Sequence, residues 1–218
     1  LMPQKNRSAG RSMTQDFLYA LAHDRPVPGG GAAAAHAAVV ALALLQKIVR
    51  VEMERPWLNP EAKGARADLL ERTIALSRNL LALRESDGKA YLAWTEARRN
   101  GPASEAAQAA LLAAAASPRA IMETVYEAYE IVRQCAAFAR RHLIPDVLVA
   151  AEILEAAFRG AAHIARANLD RLSGPKLGEE LQQQSVHLDR LVSRFEEIRR
   201  HTRFLTADRI SPPEQVGR

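Results

Sequence analysis

A stretch of 24 residues, Ala32 to Arg55, contains neither proline nor glycine, and it follows directly on Pro26-Val27-Pro28-Gly29-Gly30-Gly31. A breaker-free run of alanine, leucine and valine is a helix, and one so apolar must be surrounded by other elements of the same fold. The loop in front of it joins rigid prolines to three glycines free to take positive φ. Such a loop can turn its backbone amides onto a ligand at a helix N-terminus, which suits an anion or a flat polar heterocycle. The same glycines can equally be no more than a tight turn between two helices.

Hydrophobic residues make up 48% of the 218 residues, but aromatics only 5%. Apolar content that is mostly alanine and leucine favours closely packed helices over strands. A chain of this length buries roughly 70% of its unfolded surface and can form a core without staples. The expected fold is all-α, a multihelical antiparallel bundle with Ala-rich helices at its centre. Residues 1–12 are polar and aperiodic and read as a tail before Met13; 13–205 form the helical domain, and 206–218 a polar tail.

Charge and cysteine content narrow the function. The net charge is +5 and the pI about 9.7, yet the arginines are scattered among Ala, Leu and Glu, which argues against nucleic acid and leaves a small polyanionic ligand. Cys135 is the single cysteine, so no internal disulfide and no thiolate cluster can form, which fits a reducing, cytoplasmic setting. His36 and Gln46-Lys47 interrupt the apolar run, so it reads as a buried helix and not a membrane span.

Apolar spacing predicts helices over Thr14–His23, Ala32–Arg55, Glu61–Arg99, Ala103–Ala116, Ser117–Arg141, Val147–Leu172 and Lys176–Phe204. Ser117-Pro118 reads as an N-cap followed by a first-turn proline. Asp146, beside Pro145, can cap the next helix or act as a functional carboxylate. Asp87, before Gly88, lies on a solvated face or in a site, and Asp24 flanks the glycine loop. His36, His142 and His163 lack the spacing of a helical zinc site, so no metal is expected, and His36 reads as a hydrogen-bonded core residue. No nucleophile elbow or Walker loop is present.

In order along the chain, Asp16-Phe17-Leu18 with Leu21-Ala22, the Pro-Gly loop, Asp87-Gly88-Lys89-Ala90-Tyr91, Ser117-Pro118, Asp146-Val147-Leu148-Val149-Ala150-Ala151, Gly160-Ala161 and Asn168-Leu169 resemble the formimidoyltetrahydrofolate cyclodeaminase and methenyltetrahydrofolate cyclohydrolase family. The resemblance spans Thr14 to Arg203. Ala32 stands where the family has Ser, Pro56-Trp57 interrupts its basic cluster, Ala139-Arg140 replaces its Gly-Asn pair, Pro145 replaces its Ser, and Ile164 replaces an Asn.

The resemblance implies a dimer that binds folate, polyglutamylated forms included, near the subunit interface, with no prosthetic cofactor. It places Pro28, Gly29, Gly30, Gly31 and Asn168 at the substrate. It makes Asp87 and Asp146 the catalytic carboxylates, Asp87 as the proton donor and Asp146 at the pterin edge or orienting the loop. Arg55, Lys89, Arg140 and Arg141 are the basic residues it offers to the glutamate tail. The leading expectation is hydrolysis of the methenyl bridge, because these 218 residues leave no room for a transferase to deliver a formimino group. Its rivals are the cyclodeaminase, which expels ammonia as the same ring closes, and a folate-binding or structural helical protein.

Overall fold

A computed structural model describes residues 13–172 and 178–210, with side chains described for 14–172 and 178–203. Six α-helices and two short 3-10 turns make up the described residues: α1 (Met13–Leu21), α2 (Gly30–Met53), α3 (Pro60–Ala97), α4 (Glu105–Phe138), α5 (Ile144–Leu169) and α6 (Gly178–Ile210). Helices α2, α3, α4 and α5 close a ring in which each packs on the next and α5 returns to α2. Pairs such as Arg66–Phe138, Asn79–Thr124 and Tyr129–Glu155 show consecutive helices running antiparallel. Helix α6 lies outside the ring, parallel to α4, joined by contacts of Gln184 with Arg119 and of His187 with Glu123.

The Ala-rich helices are indeed central. Ala35, Ala38, Ala41, Leu42, Leu45, Ile48 and Val49 of α2 are buried, as are Ala150, Leu154, Ala157 and Ala161 of α5. Gly160 faces Ala34, where small side chains let the two backbones approach. Among the described residues, α2 alone is long and apolar enough to cross a membrane, and in this fold it is packed by α3, α4 and α5.

Four local expectations are corrected. Ser117-Pro118 starts no helix: α4 begins at Glu105, capped by the Ser104 hydroxyl accepting from the Ala107 amide at 3.2 Å, and runs unbroken past Pro118. A proline in a helix leaves the carbonyl four residues earlier without its donor. Here that carbonyl belongs to Ala114, and Asn168 Nδ2 donates to it from α5 at 3.2 Å. Nor does Asp146 cap α5. Leu143 occupies the cap position, and Asp146 sits in the first turn, where its charge complements the helix dipole. The glycine loop has no positive φ; Gly101 alone does among the described residues. Finally, α6 continues to Ile210, past the expected start of the polar tail; residues 211–218 and 1–12 lie outside the described residues.

Candidate functional site at the start of α2

Helix α2 opens on bare backbone. Its cap residue, Gly29, is extended at φ −117° and offers no side chain to the first amides. A helix start in that state needs an acceptor from elsewhere. Asp87 of α3 supplies it, its Oδ2 accepting from the Ala32 amide at 3.1 Å. The approach is possible only because residue 31 is glycine: a Cβ there would lie 2.6 Å from the Asp87 carboxyl carbon. Close passage of a carboxylate, not positive φ, explains the glycine.

The carboxylate and the loop share a cleft of about 220 Å³ whose walls include Val27, Gly29–Gly31, Asp87, Tyr91, Ile164, Asn168 and Arg171. Burial raises the Asp87 pKa above the ordinary carboxylate value, and the hydrogen bond from Ala32 only partly offsets it. A partly desolvated acid at a helix N-terminus can hold a proton or give it up within the same hydrogen-bonded frame. Pro28 belongs to the loop, with a cis peptide before it. Lys89 is exposed and, two residues beyond Asp87 on a helix, points to the opposite side.

Beneath this contact, one turn further along the α2/α3 seam, Arg84 Nη1 lies 3.2 Å from His36 Nδ1. Because arginine can only donate, Nδ1 is the acceptor and His36 is neutral at that nitrogen. Phe17 of α1 stacks on the imidazole at 4.4 Å. Burial first, and then the Arg84 charge, lower the His36 pKa. His36 is thus hydrogen-bonded as expected, but it lies half-buried at the seam and not in the core.

The remaining expected site residues gather at the other end of α2. Asp146 accepts from Lys47 Nζ at 2.9 Å. Lys47 is fifteen positions beyond Ala32, so the two carboxylates stand about 22 Å apart along the helix. Arg55 and Arg140 meet at the fully buried Glu52: Arg55 Nη1 donates at 2.9 Å, and the Arg140 amide and Nε each donate at 3.0 Å. Desolvation works to raise Glu52, but these hydrogen bonds and the two positive charges outweigh it and hold its pKa low. Arg141 lies in the same 3-10 turn region. Within one subunit, Asp146, Arg55, Arg140 and Arg141 therefore do not share the Asp87 cleft. Arg171, which does, was not anticipated; its place two residues after the Asn168-Leu169 element was the available signal. Among the described residues no group of three or more His, Cys, Asp or Glu side chains is placed to hold a metal. Burial pushes the Cys135 thiol up to about 12.

The described residues thus form a closed helical ring whose central helix starts on glycine, with a half-buried carboxylate against its first turn. The family model described as formiminotransferase-cyclodeaminase matches residues 13–187, and the chain is a member of that family. The solved structure of formiminotetrahydrofolate cyclodeaminase from Thermotoga maritima has the same fold, with a TM-score of 0.80 over 92% of this chain and 98% of that one, at 20% identity. No curated protein sequence matches the chain.

Proposed function

We propose that the protein acts on a one-carbon derivative of tetrahydrofolate as a formimidoyltetrahydrofolate cyclodeaminase. Membership of the formiminotransferase-cyclodeaminase family supports this reading over the hydrolysis of a methenyl bridge, which the sequence put first. The observation that carries it is the Asp87 carboxyl, desolvated and seated on the first turn of α2 inside the cleft.

In the reaction, one folate nitrogen attacks the carbon of the formimino group on the other, which enters in its protonated, amidinium form, and the exocyclic nitrogen, now an NH2 group, leaves. Protonated Asp87 gives its proton to that nitrogen, so that ammonia departs, and the resulting carboxylate takes the proton from the attacking nitrogen. The product is a delocalised cation, which an adjacent carboxylate stabilises. No electron transfer occurs, so no prosthetic group is needed. Asn168 and the α2 amides line the same cleft and orient the heterocycle. Asp146, Arg55 and Arg140 serve the fold at the far end.

The reading includes a homodimer. Val40 of α2 and Val149 of α5 are 50% and 51% exposed, although they lie on the two central helices. Leu44, Leu148 and Ile153 extend that face, half-buried. A two-fold pairing would cover it with one self-complementary interface.

Incubating the protein with formimino-tetrahydrofolate tests the activity, with methenyl absorbance and ammonia followed together. Equimolar appearance of both is expected. Loss of methenyl absorbance from the preformed methenyl compound above its spontaneous rate, without ammonia formation from the formimino compound, would replace this reading by the hydrolase.

A further inference from the structure

Asp87 begins a stripe on α3 that continues, at helical spacing, through Tyr91 and Trp94 to Arg98 just past the helix end. The stripe runs outward from the cleft. Tyr91 lines the cleft and meets Trp94 edge-on, with ring centroids 5.6 Å apart. Two guanidinium groups then converge on that indole: Arg98 Cζ lies 5.0 Å from its centroid and Arg171 Cζ 5.6 Å. Arg171 reaches it from beyond the end of α5 and is itself part of the cleft wall. Among the described residues neither arginine pairs with a carboxylate; the neighbouring Glu96 is held by Arg99 instead.

An acid at the inner end, an aromatic wall, and two uncommitted guanidinium groups at the outer end match a ligand of complementary polarity. Its head becomes cationic, its middle is flat, and its far end carries carboxylates. Arginine stacked on an indole keeps its planar donor edge free, so the fork is oriented before a carboxylate arrives. About 16 Å of helix rise separates Asp87 from Arg98, enough to place the two ends of one extended molecule.

We propose that Arg98 and Arg171, arrayed on Trp94, form the subsite for the carboxylate-bearing aryl tail of the substrate, in place of Arg55, Lys89 and Arg140. The inference rests on the folate reading above and assigns the tail to the mouth of the Asp87 cleft. The subsite selects substrates by their tail carboxylates, and longer polyglutamate chains extend past it into solvent.

The test uses binding, so that it stands apart from turnover. With Trp57 replaced by Phe, Trp94 is the single tryptophan and reports ligands by its own fluorescence. The titrants are p-aminobenzoyl-glutamate and its uncharged bis-amide. The dicarboxylate should bind at least about tenfold more tightly than the bis-amide, as charge-assisted bidentate hydrogen bonds require. In the Arg98→Gln/Arg171→Gln double variant, shown folded by circular dichroism, the dicarboxylate should fall to the affinity of the bis-amide. Three outcomes would overturn the subsite: no binding of the dicarboxylate at millimolar concentration, a preference that survives in the double variant, or equal weakening of both ligands. A dicarboxylate preference seen in the parent and lost in the double variant, in a protein that turns over no folate, would instead remove the catalytic reading and leave the subsite standing.

Discussion

Asn168 reaches across from α5 to Ala114, and the carbonyl it satisfies is the one that Pro118 leaves open in α4. The relationship lets a 34-residue helix pass through a proline while fixing a residue of the cleft wall. Removing the donor leaves a part-buried carbonyl unmet, which costs about 1–3 kcal/mol. Asn168→Ala should therefore lower stability by that amount in urea unfolding, and the loss should shrink in a Pro118→Ala background, where the backbone amide returns. Strictly additive effects in this double-mutant cycle would dismiss the coupling.

Asp87→Asn retains an acceptor for the Ala32 amide but has no proton to give, so turnover should fall by two to four orders of magnitude. Stability follows the opposite course. The folded pKa of Asp87 is raised, so the stability linked to its protonation is full below the unfolded value and lost as pH rises through the folded one. At neutral pH the asparagine variant should melt no lower than the parent. A clearly lower Tm at pH 7, or unchanged turnover, would contradict the assignment.

Two glycines of the loop should respond unequally. A Cβ at Gly31 collides with the Asp87 carboxylate, whereas one at Gly29 meets nothing nearer than the Pro26 carbonyl at 3.9 Å. Gly31→Ala should displace Asp87 and abolish activity; Gly29→Ala should fold and melt like the parent. Gly30→Val, whose Cβ would start 3.1 Å from Ile164 Cδ1, should lose folate binding. Thermal melts and ligand titrations on the three variants provide the check.

Glu52 sets an acid limit on the fold. Its pKa is lowered, so its contribution is present above the unfolded value of about 4.5 and drains away as pH falls through the folded one. Glu52→Gln leaves two arginines facing an uncharged partner and should cost about 3 kcal/mol at pH 7. The difference from the parent should narrow as the pH is lowered below 4.5, measured by chemical denaturation at a series of pH values.

Light scattering at micromolar concentration should show a dimer, with roughly 2,000 Å² or more of surface buried in total. Val40→Glu with Val149→Glu places charge on the shared face and should give monomers. A parent protein that is monomeric and cooperative in unfolding would remove the dimer from the proposal.

The ring of helices was legible because alanine and leucine recur at helical spacing while proline and glycine cluster between the runs. The error at Ser117-Pro118 arose because a proline's effect depends on what reaches the orphaned carbonyl, and Asn168 is fifty-four residues away from Ala114. The distribution of the basic residues misled for a related reason. Glu52 falls on the same stripe as Leu45, Ile48 and Val49, and a carboxylate in that stripe demands cations; this was the available sign that Arg55 and Arg140 were already committed. The glycine loop and Asp87 stood out from the residues themselves and the family resemblance added their roles, while the one sign of Arg171 was its place just after the Asn168-Leu169 element.

The start of α2 meets the end of α5 at Gly30 and Ile164, with two whole helices intervening in the chain. During synthesis the first wall of the cleft thus leaves the ribosome long before the last, and the pocket cannot exist until the ring has closed behind it. The cleft is consequently a property of the closed ring alone: a polypeptide stalled before α5 can be richly helical and still have nowhere for a ligand to sit.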